Sequence, residues 1–226
     1  AYFAMLRNLF PNHPYGTQTT IGIAEHLKNP SMVEIHKYFN NYYLPNNMAI
    51  CISGDIDPAK TISLIDTYFG NMKPKKVPVH IKVESSPISG KITEEVFGPD
   101  RENILMGFRF DGINSSDEKM VTMIDMLLSN SQAGIIDLDL VQQQKILSGG
   151  CSPQFLKQYG IHIFYANTRE GQTLEEAEAL LLSALDRIKK GDFGDWMLEA
   201  VINDLELSRI QQSESNNVAF EYVDAF

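Results

Sequence analysis

The sequence predicts an α+β fold in which mixed or antiparallel sheets are covered by helices. Three observations predict it. Two stretches that read as strands, 91–97 and 103–110, follow one another across Gly98-Pro-Asp100, which favours an antiparallel hairpin. Amphipathic helical stretches lie before and after that hairpin and do not alternate with single strands, as a parallel βαβ sheet requires. The chain has 226 residues which, at about 150 residues for a typical domain, make one large domain or two small ones.

The elements follow in order. Residues 1–6 read as a helix already in progress. Residues 10–16, with two prolines, an Asn and a Gly, form a loop, and a short helix follows near 21–28. Ser31 and Glu34 make a capping box, in which the Ser oxygen takes a free N–H and the Glu reaches back. The helix they open ends before Pro45, with Val33, Ile35, Tyr38 and Phe39 largely at helical spacing. The apolar run 47–53 suits a strand buried on both faces. Asp57-Pro58 is an N-cap followed by an N1 proline, and Gly70 supplies the stop. Residues 71–90, with Pro74, Pro78 and Pro87, read as a linker.

Beyond the linker come the two strands. The second is the clearest in the chain, because Ile104, Met106, Phe108 and Phe110 alternate. Ser115 with Glu118 reads as a second capping box, opening a helix through Leu128. Further helical turns are expected over 136–146, broken by Gly149-Gly150, with a strand beginning near 153–158. Residues 161–168 form another strand, with Ile161, Ile163 and Tyr165 on one face. Thr173 with Glu176 is a third capping box, opening a helix that ends at Lys189-Lys-Gly191. A last helix spans about 195–212.

Composition excludes several classes. Hydrophobic residues make up 43% and charged residues 21%, as in a globular domain. The net charge of −10 argues against non-specific nucleic-acid binding, since Lys73, Lys75 and Lys76 form the densest basic cluster and Pro74 breaks it. No apolar run reaches the roughly 18 residues of a membrane helix. Both ends read as cut from a longer protein, and no signal peptide is visible. Cys51 sits in an apolar run and Cys151 follows Gly149-Gly150, which is neither a disulfide framework nor a zinc knuckle.

The residues disclose no catalytic template. The histidines are His13, His26, His36, His80 and His162, and no two sit at the i, i+4 spacing that points both imidazoles at one metal. Gly22-Ile-Ala-Glu25-His26 has the end of an H-x-x-E-H pattern, but Gly22 stands where the first ligand belongs. His36 reads as surface, and His162, mid-strand, faces core or solvent. Asp137 and Asp139 suit a solvated face or a helix start, Gly149-Gly150 a turn, and Arg169-Glu-Gly171 a strand-end turn. No catalytic or metal-ligating residue is assigned, and no substrate-binding residue is identified.

One ordered set of motifs is more specific. Leu9-Phe-Pro-Asn-His-Pro-Tyr-Gly16 is followed by Thr20-Ile-Gly22, by Ala24-Glu-His-Leu-Lys-Asn29, by Tyr42-Tyr-Leu-Pro-Asn-Asn-Met48 and by Ile52-Ser-Gly-Asp-Ile-Asp57. This series resembles the M16 metallopeptidases, the family of pitrilysin, insulin-degrading enzyme and the mitochondrial processing peptidases. Residues 140–145 are a weaker echo of the family's L-R-E-K segment. The resemblance implies two-layer α+β domains of M16 metallohydrolase type. It implies that 1–72 is the C-terminal part of a catalytic-type domain, 73–90 a linker and 91–226 a second M16-like domain truncated at its C-terminus.

The family's zinc ligands, on an inverted H-x-x-E-H helix plus a distant Glu, lie upstream of the HPYG loop, and its Arg–Tyr substrate-contact pair belongs to the opposite half of the enzyme. Neither can be carried onto this chain. The resemblance therefore implies a segment of a zinc-dependent endopeptidase that helps form the peptide chamber. Zinc belongs to the full-length parent, and the segment alone is inactive and binds none. The implied partners are a peptide or unfolded-protein substrate, the upstream zinc-bearing domain and the opposing half. The alternative is a non-catalytic M16-like subunit used for assembly or substrate presentation, as in respiratory-complex core proteins.

Overall fold

The computed structural model describes residues 1–79, 81–217, 219 and 223. His80 and most of the stretch 217–226 lie outside the described residues. Eight α-helices are described: α1 (Tyr2–Leu9), α2 (Pro14–Thr17), α3 (Ala24–Lys28), α4 (Met32–Tyr42), α5 (Pro58–Phe69), α6 (Ser116–Leu128), α7 (Leu174–Lys190) and α8 (Asp195–Ser213). The strands are β1 (Asn103–Asp111), β2 (Ser148–Phe155) and β3 (Tyr159–Asn167). Two compact units emerge, each from two stretches of chain: Ala1–Thr20 with Lys82–Asn203, and Ile21–Ile81 with residues from Asp204 onward.

The first unit is built on an antiparallel sheet of order β1-β3-β2. Its middle strand, β3, pairs on both edges. Its two faces are both buried, as a central strand with covered faces requires. Ile161 and Ile163 pack on one face against Leu9 and Phe10, with Met5 and Leu6 of α1 beside them. A Cβ on Gly107 of β1 would lie 2.7 Å from Met5 Sδ and 2.8 Å from Leu9 Cδ1, so the glycine lets α1 settle onto the sheet. His162, Phe164 and Ala166 point to the opposite face, where α6 and α7 pack. Val121 and Leu128 of α6 and Ala177, Leu181 and Ala184 of α7 are buried.

The helix signals were mostly faithful. Thr173 and Glu176 close a reciprocal capping box on α7, and Gly191 ends that helix in the left-handed conformation at φ 67°. Ser31 Oγ accepts from the Glu34 N–H at 3.3 Å, and Asp57 Oδ1 accepts from the Lys60 N–H at 3.2 Å. At α6 the expected box is displaced by one residue. Glu118 accepts from the Asn114 N–H at 2.7 Å, while the buried Ser115 Oγ has no hydrogen-bond partner. Asn114 is left-handed, φ 62°, and that backbone turn offers its own N–H to the carboxylate.

Three strand expectations are corrected. Residues 48–53 form no strand, and Ile50 and Ile52 are exposed instead of buried on both faces. Met48 is extended, but a strand needs a ladder, and the second unit contributes no strand among the described residues. Residues 91–97 do not form the first arm of a hairpin. β1 pairs with the distant β3, while Glu94 is held by Arg7 and Asn8 of α1 at 3.0 and 2.7 Å. Gly149-Gly150 is no turn but lies within β2, where a Cβ on Gly149 would meet Tyr165 O at 2.8 Å. The helical turns before it are a π-helical stretch, Asp137–Val141.

The second unit holds α3, α4, α5 and a 3₁₀ turn at Pro45–Asn47. Asn46 fixes that turn by donating to Lys75 O at 2.9 Å and accepting from the Lys75 N–H at 3.2 Å. Neither α4 nor α5 buries a residue, and Val33 and Tyr68 are 74% and 73% exposed.

The core assignment makes a stability contrast between adjacent residues of α7. Leu181 is fully buried and Leu182 is 39% exposed. Leu181→Ala is expected to cost about 2–5 kcal/mol, and Leu182→Ala under about 0.5 kcal/mol. Urea unfolding of the two variants checks this, and equal losses would show that the face of α7 has been misassigned.

Candidate functional site

The HPYG loop is locked to the sheet by polar and aromatic groups. His13 is the N-cap of α2 and its Nδ1 accepts from the Tyr15 N–H at 3.1 Å. The proton is then on Nε2, which donates to Gln158 Oε1 at 2.6 Å. Tyr15 returns the contact by accepting from the Gln158 N–H at 3.2 Å. The Tyr159 and Phe10 rings lie 5.3 and 5.9 Å from the buried imidazole.

Arg109 of β1 completes the lock. It donates to Leu9 O at 2.8 Å, Ser85 Oγ at 2.7 Å and Ser86 O at 2.9 Å. Its guanidinium also lies over the Phe10 and Tyr159 rings, at 5.7 and 5.4 Å, a cation–π geometry. Gly16 is required by space, because a Cβ there would lie 2.2 Å from Phe10 O and 2.7 Å from Leu6 O. The imidazole has both nitrogens committed, so this arrangement positions a loop and holds no free acid, base or metal ligand.

The other candidates from sequence scatter. Glu25 and His26 sit on exposed α3, and Glu25 pairs with Lys28 at 3.8 Å. Gly22 precedes α3 and has no donor side chain, so the stretch 22–26 does not fit the inverted zinc motif. His36 is exposed on α4. Asp137 is buried and accepts from Ser129 Oγ and from the N–H groups of Asn130 and Gly134. Asp139 pairs with Arg187. Arg169-Glu-Gly171 is the expected turn, with Gly171 at φ 75°.

One constellation escaped the sequence reading. Asp125 of α6, Cys151 of β2 and His162 of β3 bring a carboxylate oxygen, a thiol and an imidazole nitrogen within 4.8 Å of one another. His162 Nε2 donates to Asp125 Oδ1 at 2.8 Å, and Cys151 Sγ donates to Asp125 O at 3.8 Å. Burial, followed by the charge of Asp125, pushes the Cys151 thiol far above the ordinary range. A nucleophilic cysteine needs the opposite environment, and the imidazole is already spent on Asp125. This is not a Cys–His hydrolase site. No spacing of 125, 151 and 162 announces it, since the three residues meet only through the β2–β3 register and the seating of α6.

Comparison with known proteins decides the family. The sequence profile described as the peptidase M16 inactive domain matches residues 32–205. The chain belongs to this family. The M16 chain is 22% identical over 222 residues to zinc protease PqqE of Helicobacter pylori, covering 96% of itself and 50% of that relative. It therefore spans about half the length of the curated relative. A solved protease from Helicobacter pylori matches its fold at a TM-score of 0.85 with 20% identity, over 96% of this chain and 53% of that one. A chain of complex III2 from Candida albicans, with Inz-5 bound, matches at 0.71 with 16% identity, over 98% and 54%. At such identities these structural likenesses show the fold.

The M16 loop lock generates a test at Gly16. Gly16→Ala sets a Cβ against two backbone carbonyls, which cannot swing aside as a side chain does, and is expected to destabilise by roughly 1–3 kcal/mol. Thermal unfolding measures it, and an unchanged midpoint would show that the loop is not held as described.

Proposed function

We propose that this M16 chain is a segment of a zinc-dependent endopeptidase that helps wall a peptide chamber, with the zinc site carried on a different segment. The observation that carries the reading is the match of 32–205 to a domain described as inactive, joined to the likeness to a relative named as a zinc protease. Two features support it. The stretch 22–26, which echoes the end of the family's motif, has Gly22 where the first ligand belongs. The apolar faces of α4 and α5 stand open, with Met32, Val33, Ile62 and Tyr68 exposed, and an amphipathic helix is stable when such a face is covered. The upstream zinc-bearing domain is the proposed cover.

The segment's contribution would be shape and charge. A net charge of −10 favours basic peptides by long-range attraction if much of it faces the chamber. A second reading, a non-catalytic assembly or substrate-presenting subunit, is favoured by the fold likeness to the complex III2 chain.

In the full-length protein, matched basic and acidic peptides are expected to be cleaved with a basic preference that shrinks as ionic strength rises. Cleavage without a salt-sensitive preference would remove the electrostatic part of the proposal. A full-length protein with an intact zinc motif that cleaves no peptide would favour the assembly reading.

A further inference from the structure

We propose that Asp125, Cys151 and His162 form a cation site in which a zinc-class divalent ion ties α6 to β2 and β3. The three side chains come from three different elements and offer one oxygen, one sulfur and one nitrogen. That mixed donor set suits zinc or cobalt and does not suit magnesium or calcium, which take oxygen ligands. His162 and Cys151 are buried, and Asp125 is largely so, with 14% of its side chain exposed.

The register places the donors. Pro153 stands opposite His162 and Cys151 opposite Phe164. Cys151 lies two residues from Pro153, so Cys151 and His162 are diagonal neighbours on one face of the sheet. Asp125 meets that face from above, through the bond from His162. A tetrahedral ion with bonds of about 2.0 Å to nitrogen and oxygen and about 2.3 Å to sulfur sets its ligands roughly 3.3–3.7 Å apart. The Asp125–His162 separation of 2.8 Å therefore opens slightly, and any pair near the 4.8 Å limit closes by about an ångström. Side-chain torsions supply both adjustments.

Binding is a proton-for-metal exchange. The thiol proton leaves to solvent, and the imidazole proton moves from Nε2 to Nδ1, so that thiolate, neutral imidazole and carboxylate face the ion. The two anionic ligands balance the two positive charges, and water or the second oxygen of Asp125 fills the fourth position.

The test uses cobalt as the probe, in the full-length protein stripped of metal. By the resemblance above, the upstream M16 site holds histidines and glutamate and no thiolate. A thiolate-to-cobalt charge-transfer band therefore reports on a cysteine site alone. The band is expected at one cobalt per chain, lost in Cys151→Ala and kept in Cys51→Ala, and the stripped Cys151→Ala protein reloaded with zinc is expected to take up one ion per chain fewer than the wild type. Asp125→Asn keeps the size and the acceptor for His162 while removing a ligand charge, so it tests the site if Cys151→Ala fails to fold. It should weaken cobalt binding about tenfold or more. No thiolate band in the wild type, a band that persists in Cys151→Ala, or wild-type affinity in Asp125→Asn would overturn the proposal and leave a packed Asp–His pair.

Discussion

The first unit depends on β3 being the middle strand of the sheet. It carries both ladders, so β1 and β2 share no ladder with each other and are joined in the sheet through it. Its alternation then divides the unit. Ile161 and Ile163 face α1 and the HPYG loop, while His162, Phe164 and Ala166 face α6 and α7. A one-residue slip would exchange these sets and set His162 among the apolar side chains of α1. Burial of both faces therefore fixes the register, and the register fixes where Arg109, Cys151 and His162 stand.

How much of this was legible varied with the range of the interaction. Local signals read well. The Thr173 box, the Asp57-Pro58 start and the Gly191 stop are satisfied within a few residues of sequence, and all appear. The β1 alternation was equally plain, but its partner was not, because pairing with β3 is set about 50–60 residues away by packing, not by a local turn. Gly149-Gly150 misled because glycine usually marks a turn. Here close approach to Tyr165 and Ile146 asks for the absence of a side chain inside a strand.

The two polar clusters show the same division. The HPYG residues stood out as a motif, yet their reason lies in Gln158, Tyr159 and Arg109, which share no pattern with them. The acceptors on Leu9, Ser85 and Ser86 need a donor inside the fold, and Arg109 offers several in one fixed plane. Lysine would present one compact charge and could not reach the three with the same geometry. The Asp125, Cys151 and His162 set was invisible because each residue alone has an ordinary explanation. A helix acid, a buried thiol and a strand histidine become chemistry only when three elements converge.

That convergence also explains why a domain described as inactive would keep buried polar groups at all. Hydrophobic contacts between α6 and the sheet are non-directional, and Val121 and Leu128 would tolerate small slides along the strands. The hydrogen bond between His162 and Asp125 does not tolerate them, since at 2.8 Å its strength falls steeply with displacement. Leaving either partner unpaired in this setting costs roughly 1–3 kcal/mol or more. The polar pair therefore selects one seating of α6 among several that apolar packing would allow. An ion held by Cys151 as well would sharpen that choice, because coordination fixes angles as well as distances. The chamber wall proposed for this segment would need such definition, since its surface would serve a peptide only if the elements behind it kept a single arrangement.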